Sequence, residues 1–234
     1  MAMEGESMKI IAAAEGEVFD IELEEDLLRK NRELAEGNRK LLDQHGVFAV
    51  DVMGAIGSGK TTLIGQIVRR LKGERRIAAL AGDLTTTIDA DRIKAQGASV
   101  VVVNTGKECH LDANLVRKGI AELDLERIDL LFIENVGNLI CPGEFPLGAH
   151  RRVVVISVTE GPYMVLKHPY IFMDADVVAV NKIDLSEAMG VDPNQLERDA
   201  LRIKPNLKVV QTNGLTGEGV EGVIEALSLS DFLT

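Results

Sequence analysis

The sequence predicts an α/β fold, with a mostly parallel sheet of about seven strands, helices on both faces and one further helix before them. Three observations predict it: apolar runs alternate with helical patterns, several runs are rich in valine, and a glycine-rich loop joins the first run to a helix. Strands that alternate with helices form βαβ units, whose parallel strands are buried on both sides. The predicted strands are Val47–Met53, Ile77–Ala81, Ser99–Asn104, Leu130–Glu134, Val153–Val158, Val177–Val180 and Leu207–Gln211. The helices predicted between them are residues 60–72, 88–95, 112–123 and 193–203.

Residues 1–45 are predicted to form an N-terminal segment with a helix, and residues 46–234 a larger domain. Between Leu23 and Gln44, apolar residues recur every seven positions in two adjacent rows, which gives one stripe along a helix. The stripe comprises Leu27, Leu28, Leu34, Ala35, Leu41 and Leu42. Packing on the domain is the simpler interpretation, a coiled coil with a partner is the alternative, and Gly37 weakens the prediction of an uninterrupted helix. Upstream, Lys9–Ile11 is predicted as a brief extended piece.

Length, charge and hydropathy exclude several classes of protein. The 234 residues suffice for one large domain, and no apolar run approaches the roughly 18 residues that span a bilayer. The N-terminus has no basic stretch followed by an apolar one, so we expect no secretory signal, no membrane partner and a cytoplasmic location. A formal net charge of −11 disfavours nucleic acid as a partner. Two cysteines argue against a disulfide framework.

A phosphate-binding pattern occupies residues 54–61, Gly-Ala-Ile-Gly-Ser-Gly-Lys-Thr. The spacing G-x-x-x-x-G-K-[ST] after an apolar run and before a helix is that of the P-loop, whose backbone N–H groups face a phosphate chain at a helix N-terminus. Lys60 would reach the β- and γ-phosphates, and the Thr61 hydroxyl would coordinate Mg²⁺. A simple glycine-rich turn is the alternative, but it does not explain Lys60 and Thr61. We therefore predict the P-loop NTPase fold, with nucleotide contacts at Gly54, Ala55, Gly57, Ser58, Gly59, Lys60, Thr61 and Thr62.

The predicted sixth strand ends in Asn181-Lys182-Ile183-Asp184, which resembles the N-K-x-D element that recognises guanine. A carboxylate such as that of Asp184 only accepts hydrogen bonds, and guanine offers two adjacent donors that adenine lacks. Lys182 would pack its stem across the base, and Asn181 would tie this loop to the P-loop. Thr212 and Asn213 close the last strand and are expected over the base. A helix cap after a strand is the alternative, but together with the P-loop the pattern predicts GTP.

Acidic residues after other strands are expected to act on the γ-phosphate. Glu134–Gly137 stands where GTPases place a D-x-x-G switch, so Glu134 would hold Mg²⁺ and the Gly137 N–H would face the γ-phosphate. Asp83 and Asp89 are candidates for binding Mg²⁺ or orienting the attacking water, with helix caps or surface acids as the alternative. The predicted catalytic residues are Lys60, Asp83, Asp89 and Glu134, and the predicted Mg²⁺ ligands are Thr61, Asp83 and Glu134.

Both cysteines lie near these elements, in polar or glycine-containing loops. Cys109 precedes His110, and Cys141 follows Glu134 by seven residues. Two thiolates and an imidazole suit Ni²⁺ or Zn²⁺, but they are one ligand short of a closed tetrahedral shell. The fourth ligand would be water or come from a second chain. The remaining histidines, His45, His150 and His168, have no partner at ligand spacing and are expected to be structural.

Together, the P-loop, Cys109-His110, residues 134–142 and Asn181–Asp184 resemble the hydrogenase nickel-incorporation GTPases, the HypB family. The resemblance runs from about residue 25 to the C-terminus. It implies slow GTP hydrolysis, a homodimer promoted by GTP, and metal held between subunits by Cys109, His110 and Cys141. It also implies nickel transfer during [NiFe]-hydrogenase maturation, with other nickel-delivery factors and the hydrogenase large subunit as partners. The N-terminal cysteine motif and histidine-rich tract of some members have no counterpart here.

Three other functions remain open from the sequence. The urease nickel GTPase is similar, but it has a contiguous Cys-Pro-His, whereas here Cys109-His110 and Cys141-Pro142 are separate. A P-loop kinase would need an adenine site, which Asn181–Asp184 disfavours. A metal-binding module with a purely structural nucleotide would show no GTP turnover.

Overall fold

The computed structural model describes residues 21–83, 87–106 and 108–230, and the predicted extended piece Lys9–Ile11 lies outside them. Seven strands of the described residues form one sheet in which every neighbouring pair is parallel. They are β1 (Phe48–Met53), β2 (Ile77–Asp83), β3 (Ser99–Asn104), β4 (Leu130–Glu134), β5 (Arg151–Ser157), β6 (Val177–Asn181) and β7 (Lys208–Gln211). Their order across the sheet is β3-β2-β4-β1-β5-β6-β7, which confirms the predicted parallel α/β fold.

Helices cover both faces of this sheet. They are α1 (Ile21–Gln44), α2 (Lys60–Leu71), α3 (Ile88–Lys94), α4 (Ala113–Ala121), α5 (Met164–Lys167), α6 (Pro169–Met173), α7 (Ser186–Met189), α8 (Pro193–Ile203) and α9 (Val220–Ala226). Helices α2, α3 and α9 bury apolar side chains against one face. On the opposite face α1 and α4 cover one apolar cluster, and α5, α6 and α8 cover another. None of the helices in the described part of the chain is long and apolar enough to cross a membrane.

The predicted boundaries differ from the observed ones by at most two residues, and three elements, β3, β4 and α8, have the predicted boundaries. Strand β5 starts at Arg151, and Val158 belongs to a 3₁₀ turn rather than to the strand. The expectation that the parallel strands are buried on both sides is wrong for the valine run of β3, because β3 lies at the sheet edge and Val102 is 38% exposed. A run of valines predicts a strand but does not say whether a second strand covers its outer side. Helices α5, α6 and α7 are too short to show a helical period, and they were not predicted.

Helix α1 is continuous through Gly37 and packs on α4 and β1, as the simpler interpretation predicted. Its buried face overlaps only part of the predicted stripe. Ala35 and Leu42 of the stripe are buried, but the other buried residues are Asn31 and Asn38, and Leu27 of the stripe is 56% exposed. Periodicity of apolar residues could not find this face, because half of it is polar. The two asparagines are buried because their amides bind main-chain groups of the loops below.

The loops held by α1 are those that precede α4 and β5. The Asn38 amide donates to the carbonyl oxygens of Ala113, at 2.8 Å, and Leu147, at 3.1 Å. Asn31 accepts from the Ala113 N–H at 2.8 Å and donates to the Pro146 carbonyl at 2.9 Å. Two side chains of one helix therefore join two loops that are far apart in the sequence.

We expect Asn38→Ala to lower the free energy of unfolding by about 2 kcal/mol, because it removes two buried hydrogen bonds to carbonyl oxygens. Urea denaturation measures the change. Lys40→Ala, on the exposed side of the same helix, is the matched control for helix propensity. Equal effects of the two substitutions would contradict the role assigned to the Asn38 amide.

Candidate functional site

The P-loop forms a tight turn between β1 and α2. Gly54 and Gly59 both have positive φ, 146° and 106°, where a side chain is strained. A methyl group on Gly54 would collide with the Val155 carbonyl oxygen, and one on Gly59 with the Asn181 amide nitrogen. Glycine is therefore required at these two positions by close contact with β5 and β6, independently of any ligand.

The side chain of Lys60 lies in this loop and is almost fully buried. Its ammonium donates to the carbonyl oxygens of Gly54 and Ala55, both at 3.1 Å. Burial lowers the pKa of Lys60, against the opposing effect of the nearby carboxyl groups of Glu134, Asp89 and Glu160. The lysine is thus a desolvated cation that lies next to several acids.

Thr61 and Glu134 meet at the carboxyl ends of β1 and β4. The Thr61 hydroxyl donates to Glu134 Oε1 at 2.6 Å, while Glu134 Oε2 is buried without a hydrogen-bond partner. Burial raises the pKa of Glu134 to about 7. A hydroxyl and a carboxylate with one free buried oxygen are hard oxygen donors of the kind that Mg²⁺ prefers, so these residues fit that ion.

Lys60, Thr61 and Glu134 line a cleft with a volume of about 420 Å³, and the remaining acidic candidates lie on its wall. Asp83 ends β2, and Asp89 is in the first turn of α3, where it accepts from Arg92 at 3.3 Å. Arg92 also donates to the Thr62 hydroxyl at 2.8 Å, and it lines the cleft. Arg92 was not predicted as a site residue, because in sequence an arginine inside a short amphipathic helix resembles a solvated one.

The predicted guanine-recognition loop is tied to the P-loop by Asn181. Its amide donates to the Ser58 carbonyl at 2.9 Å, as expected, and its oxygen accepts from the Gly214 N–H at 2.9 Å and the Thr212 hydroxyl at 3.2 Å. Lys182 adopts a left-handed conformation with φ 59°, and Asp184 is exposed beyond it. The Asn213 side chain accepts from two N–H groups of its own turn.

Glu160 is a further acidic residue of this region, and it was not predicted from the sequence. It lies in the 3₁₀ turn after β5, and both of its carboxylate oxygens are buried without a hydrogen-bond partner. Burial raises the pKa of Glu160 to about 7, while the nearby Ser157 main chain, Lys182 and Lys60 act in the opposite direction. Its position just after a valine-rich strand was the available signal, because ligands bind at the carboxyl ends of parallel strands.

The two cysteines and His110 come together beside the cleft, and their donor atoms all lie within 4.8 Å of one another. The two sulfur atoms are 3.2 Å apart, and Cys109 Sγ is 3.8 Å from His110 Nδ1. Cys141 raises the pKa of the Cys109 thiol, and burial lowers the pKa of His110. Among the described residues this is the one group of three such side chains that could hold a metal ion. His45 and His150 instead pair with Glu126 and Asp43.

A short segment connects the cleft to this cysteine and histidine group. The Asn138 N–H donates to the Gly54 carbonyl at 3.1 Å, and its side-chain amide donates to the Cys109 carbonyl at 3.3 Å. Gly137 packs directly on Ile56 of the P-loop, where a methyl group on the glycine would collide. The segment that follows Glu134 therefore contacts both the P-loop and the loop that carries Cys109.

Three comparisons with known proteins indicate the same family. The family profile described as CobW/HypB/UreG, nucleotide-binding domain, matches residues 48–211. The probable hydrogenase maturation factor HypB of Methanocaldococcus jannaschii is 52% identical over 210 residues, covering 90% of this chain and 95% of that protein. The crystal structure of the HypB of Archaeoglobus fulgidus has a TM-score of 0.80 at 44% identity, covering 86% and 98% of the two chains. That of Helicobacter pylori HypB in complex with nickel has a TM-score of 0.79 at 32% identity, covering 86% and 96%.

The buried Glu134 carboxyl generates a pH-dependent prediction. Its pKa in the folded protein, about 7, lies above the ordinary value of 4.5, so keeping this carboxyl buried adds no ionisation penalty below pH 4.5, a penalty that grows between pH 4.5 and 7, and a constant one above pH 7. In buffer with EDTA and no nucleotide, Glu134→Gln should therefore raise the free energy of unfolding at pH 8 by up to about 3 kcal/mol. The gain should disappear near pH 4.5.

Urea denaturation at the two pH values measures this difference. Glu225→Gln, on the exposed side of α9, is the surface control. The same gain from Glu134→Gln at both pH values would contradict the assigned burial penalty.

Proposed function

This chain belongs to the CobW/HypB/UreG family and, within it, to the HypB hydrogenase maturation factors, and on that premise we propose that it is a GTP-hydrolysing metallochaperone that hands over nickel during [NiFe]-hydrogenase maturation. One observation carries the proposal: the donor atoms of Cys109, His110 and Cys141 converge next to the segment that lines the nucleotide cleft. A change in that segment can therefore reach the metal ligands.

Guanine selectivity is assigned to the loop after β6. Asn181 fixes the loop to the P-loop and to residues 212–214, so that the exposed Asp184 carboxylate is free to accept two hydrogen bonds from a base. The Lys182 stem covers the base plane, and Thr212 and Asn213 shape the loop above it. Guanine has the matching pair of donors, whereas adenine has none.

Hydrolysis is assigned to the cleft. Lys60 and the P-loop N–H groups hold the phosphates, Thr61 and Glu134 hold Mg²⁺ with Asp83, and the Gly137 N–H faces the γ-phosphate. Mg²⁺ at this position neutralises the charge that develops on the phosphate oxygens. Asp89 or Asp83 orients the attacking water. Turnover is slow, as is typical of intrinsic GTPases without an added arginine.

Nickel is the cargo of the cysteine and histidine group, and Zn²⁺ competes for it because both ions accept thiolate and imidazole ligands. Three ligands from one chain leave one position of a four-coordinate site for water or for a second chain. A homodimer promoted by GTP would supply that second chain. The partners are then cytoplasmic, namely other nickel-delivery factors and the hydrogenase large subunit.

Cys141→Ser is expected to lose most bound Ni²⁺ while GTP affinity is retained, because a serine hydroxyl is a poor ligand for a soft site and Cys141 does not line the cleft. Equilibrium dialysis with metal analysis and a GTP titration measure the two properties. His168→Ala removes a potential ligand outside the site and is the matched control. Unchanged nickel stoichiometry and affinity in the Cys141→Ser protein would refute the assigned site.

Asp184→Asn is expected to weaken GTP binding by at least about tenfold and to improve binding of xanthosine triphosphate, because the amide can donate to the 2-oxo group of xanthine. Competition binding with the two nucleotides measures the preference. Asp184→Ala should lose GTP without gaining the xanthine nucleotide. A base preference that stays the same in both variants would exclude Asp184 from guanine recognition.

A further inference from the structure

A charged residue lies at the centre of the sheet, on the face that α1, α4 and α8 cover. Asp51 is fully buried in the middle of β1, and its neighbours on that face, Ala49 and Met53, belong to two separate apolar clusters. Burial raises the pKa of Asp51 to about 6. An apolar side chain would be at least as stable at such a position, so the carboxylate is not explained by stability alone.

Two polar side chains contact the two oxygens of this carboxylate. Arg152 of β5 has its Nε 3.4 Å from Oδ2, and the Asn135 amide nitrogen is 3.5 Å from Oδ1. Asn135 is 1% exposed, and the Arg152 side chain is 14% exposed. Oδ2 has no hydrogen-bond partner, so Asp51 acts on Arg152 of β5 through its charge and on Asn135, after β4, through one long hydrogen bond.

Asn135 holds the loop that carries Cys109 and His110. Its side-chain oxygen accepts from the Leu111 N–H at 2.9 Å and from the Val136 N–H at 3.0 Å. Leu111 directly follows His110. The Asn135 side chain therefore fixes where this loop leaves the metal ligands and enters α4.

Arg152 holds the segment that carries Cys141. Its guanidinium lies 3.3 Å from the Phe145 carbonyl oxygen, 3.4 Å from that of Gly143 and 3.5 Å from that of Pro142. The Phe145 ring in turn packs on the His110 imidazole, with the ring centres 4.0 Å apart. The arginine therefore positions the main chain after Cys141 and the aromatic ring against His110.

We propose that Asp51 is a positioning residue for the Cys109, His110 and Cys141 site, through Asn135 on one side and Arg152 on the other. The inference rests on the proposed metal-binding function and deepens it. Asn135 belongs to the segment that lines the nucleotide cleft, so Asp51 also sets how a movement of that segment is transmitted to His110. Residues that orient metal ligands without touching the metal often control affinity.

The test compares wild type with Asp51→Asn, which keeps the shape of the side chain and an oxygen for Asn135 but removes the buried one of the two carboxylates near Arg152, the other being Asp174 at 3.5 Å. The Ni²⁺ dissociation constant should rise about tenfold. The thiolate-to-nickel charge-transfer band should weaken, and the difference in nickel affinity between the GTP-analogue and GDP states should shrink. GTP affinity in the absence of nickel should change much less than nickel affinity, because Asp51 does not itself line the cleft and reaches it only through Asn135.

Asp199→Asn is the matched control, because Asp199 is also buried, at 1% exposed, pairs with Arg202 at 3.1 Å and lies in α8. It should lower the free energy of unfolding without changing nickel binding. Nickel affinity and spectrum equal to wild type in Asp51→Asn would overturn the positioning role, even with a loss of stability. If Asp51→Asn does not fold, Arg152→Lys tests the proposal instead. It keeps the positive charge but loses the guanidinium that reaches three carbonyl groups. Unchanged nickel affinity in this variant would overturn the proposal.

Nickel binding by the variants distinguishes an error in the proposed function from an error in the role of Asp51. If neither wild type nor Cys141→Ser binds nickel, the proposed function itself is wrong. If wild type binds nickel, Cys141→Ser loses it and Asp51→Asn retains wild-type affinity and spectrum, only the role of Asp51 is wrong.

Discussion

All strands of the described chain run in the same direction, and this constraint places the candidate functional loops at one edge of the sheet. Gly54 follows β1, Asp83 ends β2, Glu134 ends β4, Glu160 follows β5 and Asn181 ends β6. Parallel strands present their carboxyl ends together, so residues far apart in the sequence meet there without long connecting loops. Asn181 secures the arrangement, because one amide side chain bonds both the P-loop and the loop after β7.

The cleft at this edge keeps charged groups out of water at a cost in stability. Burial raises the pKa of Glu134 and Glu160 and lowers that of Lys60, so each group is shifted toward its neutral form. Opposite charges lie near one another, but both Glu160 oxygens and one Glu134 oxygen have no hydrogen-bond partner. Such an arrangement is poor for folding and well suited to charged ligands, which is typical of functional sites.

The sequence predicted what depends on local spacing and periodicity. The P-loop is a contiguous pattern, and alternation of strands with helices fixes a parallel sheet, so both could be found without coordinates. Contacts between distant residues could not be found in this way. Asp51 is a single polar residue within an apolar strand, and its pairing with Arg152 depends on the register between β1 and β5. Glu160 could not be identified from the composition of its turn, because what distinguishes it is how deeply its carboxylate is buried.

The asparagines of α1 have a mechanical consequence for the cysteine and histidine group. Asn31 and Asn38 bond Ala113, just after the loop with Cys109 and His110, and residues 146–147, just after the segment with Cys141. The helix thus joins the segment with Cys109 and His110 to the segment with Cys141. A shift of α1 either carries the two segments with it or breaks buried hydrogen bonds, so a displacement of α1 changes the spacing of Cys109, His110 and Cys141.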